Sequence, residues 1–195
     1  MMETLFDRVD RKDEKPVGVV VFDLETKLSQ QDVGGWDKTD KMGMALSVLY
    51  YVGRDEYETF FEKDADRLVE TLLRAERVIG YNHISFDYGV LRGYTSRNLR
   101  VEAKNLDLLD EVKKRLPHRL SLDSIAKATL GIGKTADGLQ SLQWVKQGRF
   151  DLIEEYCKKD VEITYKVWRH GAEKGFILYD SRDGGTKRLD VTWAK

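Results

Sequence analysis

The sequence predicts an α/β fold in which a sheet is flanked by helices, and three observations favour this class. Residues 17–22 are almost entirely apolar and rich in valine, which is typical of a central strand that is buried on both faces. Two more apolar runs, 44–52 and 57–61, are separated by a hairpin-like turn and indicate consecutive antiparallel strands. Strand–helix units then begin near residue 77.

The remaining elements are predicted from periodicity and from start and stop signals. A polar, glycine-containing segment over 27–41 predicts a loop beside the carboxyl end of the first strand. Asp151 and Glu154 have capping-box-like spacing at the start of a long helix. The other predicted elements are a helix over 64–74, a strand over 77–81, a helix beginning near Asp87, a strand over 106–109, a helix over 121–130 closed by Gly131, a loop over 131–142, a long helix from 151 to about 170, and a closing hairpin formed by 176–179 and 189–193.

Composition limits the class of protein. The chain has 195 residues, of which 41% are hydrophobic and 34% charged, so we expect a loose lead-in over 1–16 and one globular domain over 17–195. A net charge of −1 means that any electropositive surface must be local. The single cysteine, Cys157, excludes an internal disulfide and fits a reducing compartment. With no signal-like start and no apolar stretch near the ~18 residues of a membrane span, we expect a cytoplasmic protein without a membrane partner.

Two acids follow the first strand. Asp23 and Glu25 are two positions apart, and a strand has a side-chain period of two, so both carboxylates point to the same side. Their mutual repulsion and their loss of water are unfavourable, and a bound cation or a shared proton would relieve both. The alternative is that the strand has simply run out into solvent, where acids are common.

Two more acids are directed toward the core by helical spacing. Asp87 shares a face with apolar residues of its helix, and Asp160 lies in the middle of a broad apolar face. Tyr156 lies one turn before Asp160, which places hydroxyl and carboxylate on the same side. Four such carboxylates suit Mg²⁺ or Mn²⁺ rather than zinc, and the three histidines are too dispersed for a zinc motif. Two hard cations about 4 Å apart are the usual apparatus of phosphodiester hydrolysis.

Three segments resemble, in order and spacing, the motifs of the DEDDy-type 3′–5′ exonucleases of the ribonuclease H-like superfamily. They are Asp23-Leu24-Glu25-Thr26, Asn82-His83-Ile84-Ser85-Phe86-Asp87 and Tyr156-Cys157-Lys158-Lys159-Asp160. Over about residues 17–167 the chain is most similar to stand-alone relatives of the proofreading domain of family B DNA polymerases. The resemblance implies a mixed five-stranded sheet in the order 3-2-1-4-5 with helices around it. The C-terminal β-hairpin is predicted from the apolar segments near the end of the chain.

The resemblance also implies roles for the motif residues. Two divalent cations, Mg²⁺ or Mn²⁺, would be held with Asp23 touching both, Glu25 and Asp160 on the nucleophile-side ion, and Asp87 on the other ion through water. Tyr156 would orient the attacking water. The residues implied in substrate contact are Leu24, Thr26, Asn82 and Phe86, of which Phe86 is better explained by packing.

The implied activity is hydrolysis at the free 3′ end of a nucleic acid, releasing nucleoside monophosphates, with DNA and single strands favoured. The alternative is a catalytically silent nucleic-acid-binding module of the same fold. A phosphatase with an aspartate nucleophile is excluded because Glu25 stands where that family has its second aspartate. A proofreading or repair role would require a separate polymerase or repair partner.

Several other residues have two interpretations. We expect His83 to be a surface loop residue, Asp107 to support the site at most, and Cys157 to be inert core. Trp36 could stack a base or pack on its own domain. Basic residues that could follow a phosphate backbone or form a solvated face are Lys113, Lys114, Arg115, His118, Arg119 and Lys134.

Overall fold

A computed structural model describes residues 17–133, 138–181 and 183–193 of the chain. The expected lead-in over 1–16 and Lys134 therefore lie outside the described residues. No helix in the described ranges is both long enough and apolar enough to cross a bilayer.

The centre of the fold is a mixed five-stranded sheet in the order β3-β2-β1-β4-β5, as the sequence predicts. Strand β1 pairs antiparallel with β2 and parallel with β4, while β2–β3 is antiparallel and β4–β5 is parallel. The strands are β1 Val19–Thr26, β2 Met44–Tyr51, β3 Glu56–Phe61, β4 Arg77–Gly80 and β5 Asn105–Asp107.

Helices and a hairpin surround the sheet. The helices are α1 Gln30–Val33, α2 Ala65–Arg74, α3 Asp87–Leu91, α4 Leu99–Glu102, α5 Leu108–Lys113, α6 Leu122–Leu130, α7 Gly138–Lys146 and α8 Phe150–Lys174, with 3₁₀ segments over Trp36–Lys41 and Glu62–Asp64. The predicted C-terminal hairpin is present as β6 Phe176–Asp180 and β7 Thr186–Asp190, so its second strand begins and ends three residues before the predicted 189–193.

Each face of the sheet has its own core, and β1 contributes to both. Val21 packs with residues of α6, α8 and the hairpin, whereas Val20 and Phe22 pack with residues of α2, α3 and α4. This two-sided burial explains why the first strand is apolar at successive positions instead of alternating. It also brings α8 across the same strand that carries Asp23 and Glu25.

Four local predictions are corrected by the structure. The segment 27–41 contains α1, which begins with a Ser29 capping box, and a 3₁₀ turn. The segment 131–142 becomes helical at Gly138. The strand predicted over 106–109 ends at Asp107, because that side chain caps α5 by accepting from the amides of the next turn. The predicted capping box at Asp151 is wrong: the N-cap is Arg149, to which Asp151 is ion-paired.

Candidate active site

Three carboxylates converge where α8 crosses β1. Asp23 and Glu25 project from the same side of β1, and Asp160 faces them from α8. One carboxylate oxygen from each of the three lies within 4.8 Å of the other two. The period-two argument for Asp23 and Glu25 is therefore confirmed, and the strand end does not simply run into solvent.

Asp87 faces the same pocket from the first turn of α3. It lines a cavity of about 450 Å³ together with Asp23, Glu25 and Asp160. Its side chain is almost fully buried, and Oδ1 has no hydrogen-bond partner among the described residues. A buried carboxylate oxygen without a donor is unfavourable, so this atom suits a cation or a water molecule held by one.

The electrostatics of the pocket indicate missing positive charge. Burial, and then the charges of Asp87 and Asp160, raise the pKa of Asp23 well above its ordinary value. Burial is also the largest cause of the raised pKa of Asp87. The donor set consists of carboxylate oxygens, which are the ligands of hard cations such as Mg²⁺ and Mn²⁺. The residues present therefore fit a divalent metal site.

Tyr156 lies one helical turn before Asp160, as predicted, and its hydroxyl is hydrogen-bonded to that carboxylate. Burial, followed by the charges of Asp160 and Glu25, raises the pKa of the Tyr156 hydroxyl far above its ordinary value. The phenol therefore stays protonated at neutral pH and acts as a donor. Trp144 of α7 packs edge-on against its ring, with the ring centroids 6.2 Å apart.

Cys157 occupies the core position expected for it. Its side chain is fully buried between α8 and β1, and Sγ lies 3.8 Å from Oδ2 of Asp23. Burial raises the pKa of the Cys157 thiol well above its ordinary value, so the thiolate is disfavoured.

Ser141 is a site residue that sequence reasoning missed. Its hydroxyl donates a 2.6 Å hydrogen bond to Oε2 of Glu25, and its side chain is fully buried. It belongs to α7, which packs on α8, in a segment predicted to be a loop. A lone serine in such a segment carries no signal that would have singled it out.

Asp107 holds the turn that leads to Asp87. The carboxylate is buried and accepts hydrogen bonds from the backbone amides of Asn82 (2.8 Å) and Ile84 (3.0 Å). It also accepts from the amide of Leu109 at 3.0 Å. Asn82 has a left-handed φ of +70°, so the carboxylate stabilises a turn that few residues adopt. The role of Asp107 is larger than the sequence suggested.

The expectation that His83 is a surface residue is wrong. Its side chain is only 1% exposed, and its ring packs edge-on against Phe22 and Tyr88. The chain reverses at Asn82 and folds the imidazole back under Gly80, where a Cβ would lie 2.7 Å from Nδ1. The glycine makes room for the ring, which is a tertiary relationship and not a local one.

The residues expected to touch substrate are divided between two cavities. Leu24, Thr26 and Phe86 line the pocket that holds the four acids. Asn82 instead lines a neighbouring cavity beside Arg119. Trp36 stands at the acidic pocket with 64% of its surface exposed and meets Phe86 edge-on at 6.0 Å.

Three of the basic residues at the carboxyl end of α5 are paired with acids of that helix. Lys113 pairs with Asp110, and both Lys114 and Arg115 pair with Glu111. These contacts favour a solvated helix face over a phosphate-binding surface.

The comparison with known proteins agrees with this geometry. A family model described as the RNase H superfamily matches residues 20–171. The matched range contains the four acids and Tyr156. No curated protein sequence matches the chain significantly.

Proposed function

Since the chain belongs to the RNase H superfamily, we propose that it is a metal-dependent 3′–5′ exonuclease that hydrolyses the terminal phosphodiester bond of a nucleic acid. The superfamily suggests nuclease-type activity, and the acidic cluster could bind metal. Polarity is proposed from the three DEDDy-like motifs, and single-stranded DNA is the favoured substrate. The observation that carries the proposal is the meeting of three carboxylates within 4.8 Å, with a fourth acid in the same pocket.

The carboxylates have separate tasks in this proposal. Asp23, Glu25 and Asp160 would hold one cation, and Asp87 with Asp23 would hold a second. When bound, two divalent cations supply the positive charge that activates a water molecule and stabilises the leaving oxygen. Ser141 keeps Glu25 in its orientation through the hydrogen bond to Oε2.

Tyr156 and the apolar wall of the pocket would position the attacking water and the terminal nucleotide. The protonated hydroxyl of Tyr156 lies beside Asp160 and would orient the attacking water by a hydrogen bond. Leu24, Thr26 and Phe86 line the pocket and would contact the terminal nucleotide. Because the pocket is lined by acids and apolar side chains, it favours the sugar and base over additional phosphates.

A substrate panel tests the proposal. A 5′-labelled single strand should shorten stepwise with Mg²⁺ or Mn²⁺, and EDTA or the Asp160→Ala substitution should stop the reaction. The same assay with duplex DNA, mismatched DNA and RNA establishes which nucleic acid the protein prefers as substrate. A closed circular strand should resist, because it has no 3′ end.

The outcomes separate the alternatives. Cutting of the circle at a comparable rate would indicate an endonuclease of the same superfamily. Strands that bind and are never shortened with either metal would support the silent binding module.

A further inference from the structure

The acidic pocket cannot by itself attract a nucleic acid. Among the residues that line it, four are acids and none is lysine or arginine. The whole chain carries a net charge of −1. Affinity for nucleic acids comes largely from cations that neutralise phosphates. If the proposed nuclease function holds, a local basic surface must therefore lie beside the pocket.

A cavity with the required charge adjoins the acidic pocket. It has a volume of about 620 Å³, and Arg92, Arg97 and Arg100 line it without any aspartate or glutamate among its lining residues. Ser85 and Asn98 add further polar side chains. We call this space the arginine cavity.

The two cavities are separated by one short stretch of chain. Ile84, Ser85 and Tyr88 line the arginine cavity, whereas Phe86 and Asp87 line the acidic pocket. Consecutive Cα atoms are about 3.8 Å apart, so the two linings meet at adjacent residues. A strand that leaves the acidic pocket past Phe86 would meet Ser85 of the arginine cavity as the next lining residue along the chain.

Two of the three arginines, Arg92 and Arg100, form no ion pair with any residue that the structure describes. Arg97 makes a two-pronged ion pair with Glu102, at 2.6 Å from Nε and 2.6 Å from Nη2. Arg100 is exposed and donates to the carbonyl oxygen of Ile84 at 3.3 Å. The side chain of Arg92 is exposed and makes no hydrogen bond or ion pair with any residue in the described ranges. This distinguishes the cavity from the α5 run, whose charges are paired.

We propose that the arginine cavity holds a backbone phosphate of the strand whose 3′ end lies in the acidic pocket. The inference rests on the proposed nuclease function and adds a second contact for the substrate. Guanidinium groups bind phosphate oxygens with two parallel hydrogen bonds, and serine and asparagine side chains complete such sites. Since these groups address the sugar–phosphate backbone, the contact is independent of base sequence.

The test measures binding without turnover. Fluorescence anisotropy measures the binding of two 5′-fluorescein-labelled strands, dT12 and rU12, in EDTA and over a series of salt concentrations. The wild-type chain is compared with the Arg92→Gln/Arg100→Gln double variant. We expect the double variant to bind both strands roughly 10- to 100-fold more weakly, which corresponds to about 1.4–2.7 kcal/mol in total. The slope of log K against log salt should fall by about 0.7, which is the value for one lost phosphate contact on a single strand.

The control is Lys187→Gln on β7. Its partner is Asp183, in the hairpin connection, and the hairpin packs near the carboxyl end of α8. This variant should bind both strands like the wild-type chain. Melting temperatures of both variants confirm that they fold, and the milder substitution of Arg92 alone should lower the slope by about half as much.

Two results would overturn the inference. One is equal binding by the double variant and the lysine control; the other is no binding of either strand by the wild-type chain at low salt. The nuclease proposal is tested separately by wild-type hydrolysis of the p-nitrophenyl ester of thymidine 5′-monophosphate with Mn²⁺. This small diester has no second phosphate for the arginine cavity, so the two failures are distinguishable.

Discussion

The hydroxyl of Ser141 donates a 2.6 Å hydrogen bond to Oε2 of Glu25, across a separation of 116 positions in the sequence. Mutation of a residue that orients a metal-binding carboxylate by a hydrogen bond typically lowers metal affinity or activity by about 10- to 100-fold. We therefore expect Ser141→Ala to lower Mn²⁺ affinity, measured by calorimetry, by about 10-fold or more while the chain stays folded.

Thr129→Val provides the matched control. The Thr129 hydroxyl bonds to the backbone of Leu178, where α6 meets the hairpin, and makes no contact with the acidic pocket. It should reduce stability without changing metal affinity. Equal Mn²⁺ affinities for the wild-type and Ser141→Ala chains would show that Glu25 needs no such support.

The Asp23 carboxylate should make the metal-free protein less stable as the pH rises. The pKa of Asp23 is raised above its ordinary value in the folded chain, mainly by burial, so the folded state binds its proton more tightly than the unfolded state. Relative to Asp23→Asn, the wild-type chain therefore loses stability as the pH rises above about 4. The loss is complete once the pH exceeds the folded pKa.

Thermal denaturation in EDTA from pH 5 to pH 8 measures this difference. We expect Asp23→Asn to melt several degrees above the wild-type chain at pH 8, because 1 kcal/mol corresponds to about 2–4 °C at this chain length. It should also release no nucleotide with Mn²⁺. The exposed Asp66→Asn substitution should show neither effect. A melting difference that is independent of pH would contradict the assignment.

Tyr156→Phe should slow the chemical step while leaving metal binding nearly unchanged. The ring keeps its packing against Trp144, and only the hydroxyl is lost. Loss of one orienting hydrogen bond suggests a rate lower by roughly 10- to 1000-fold, or about 1.4–4 kcal/mol. Single-turnover cleavage at saturating Mn²⁺ measures the rate, and calorimetry measures the affinity.

A second tyrosine on α8 serves as the control for that experiment. Tyr165→Phe removes a hydroxyl that accepts from Arg169 at 3.0 Å, at a site outside the acidic pocket. It should leave the rate unchanged. An unchanged rate in Tyr156→Phe would mean that Tyr156 contributes only packing. Loss of Mn²⁺ binding would mean that its hydroxyl positions the metal-binding carboxylates and not the water.

Trp36→Ala should weaken substrate binding rather than catalysis. The indole is largely exposed at the pocket, where a terminal base could stack on its free face. Stacking on an aromatic side chain is worth about 1–3 kcal/mol for each base, so KM for an oligonucleotide should rise roughly 5- to 150-fold. In Trp36→Phe the rise in KM should be smaller than in Trp36→Ala. Phe61→Ala, at the end of β3, should leave KM unchanged.

Asp107→Asn should destabilise the fold and displace the turn that carries Asp87. An amide cannot accept from all the backbone N–H groups that the carboxylate now serves, and its own N–H₂ would face donors. We expect a loss of about 2–4 kcal/mol, measured by urea denaturation, and a lower turnover in the folded fraction. Asp110→Asn, which removes only the pairing with Lys113, should stay near wild-type stability. Equal losses in both variants would contradict this role.

Local patterns were sufficient for much of the fold and for the identity of the acids. The apolar run before Asp23 predicted a two-sided strand, and the period of two placed Asp23 and Glu25 on one side. Helical spacing put Tyr156 beside Asp160. Each of these relationships joins residues at most four positions apart, so the backbone geometry of one element settles it. The order of the strands in the sheet was implied by the family resemblance of the three motifs, because periodicity alone does not give it.

The tertiary structure alone decided what surrounds those acids. Ser141 reaches Glu25 only because α7 packs on α8, and His83 is buried only because Gly80 leaves space beneath the turn. The arginine cavity brings Arg92 and Arg100, eight positions apart, into the lining of one space. Such contacts depend on how elements pack against one another, and packing is set by the whole core. Short-range spacing therefore determined the reactive groups, while long-range packing determined their partners and the surface beside them.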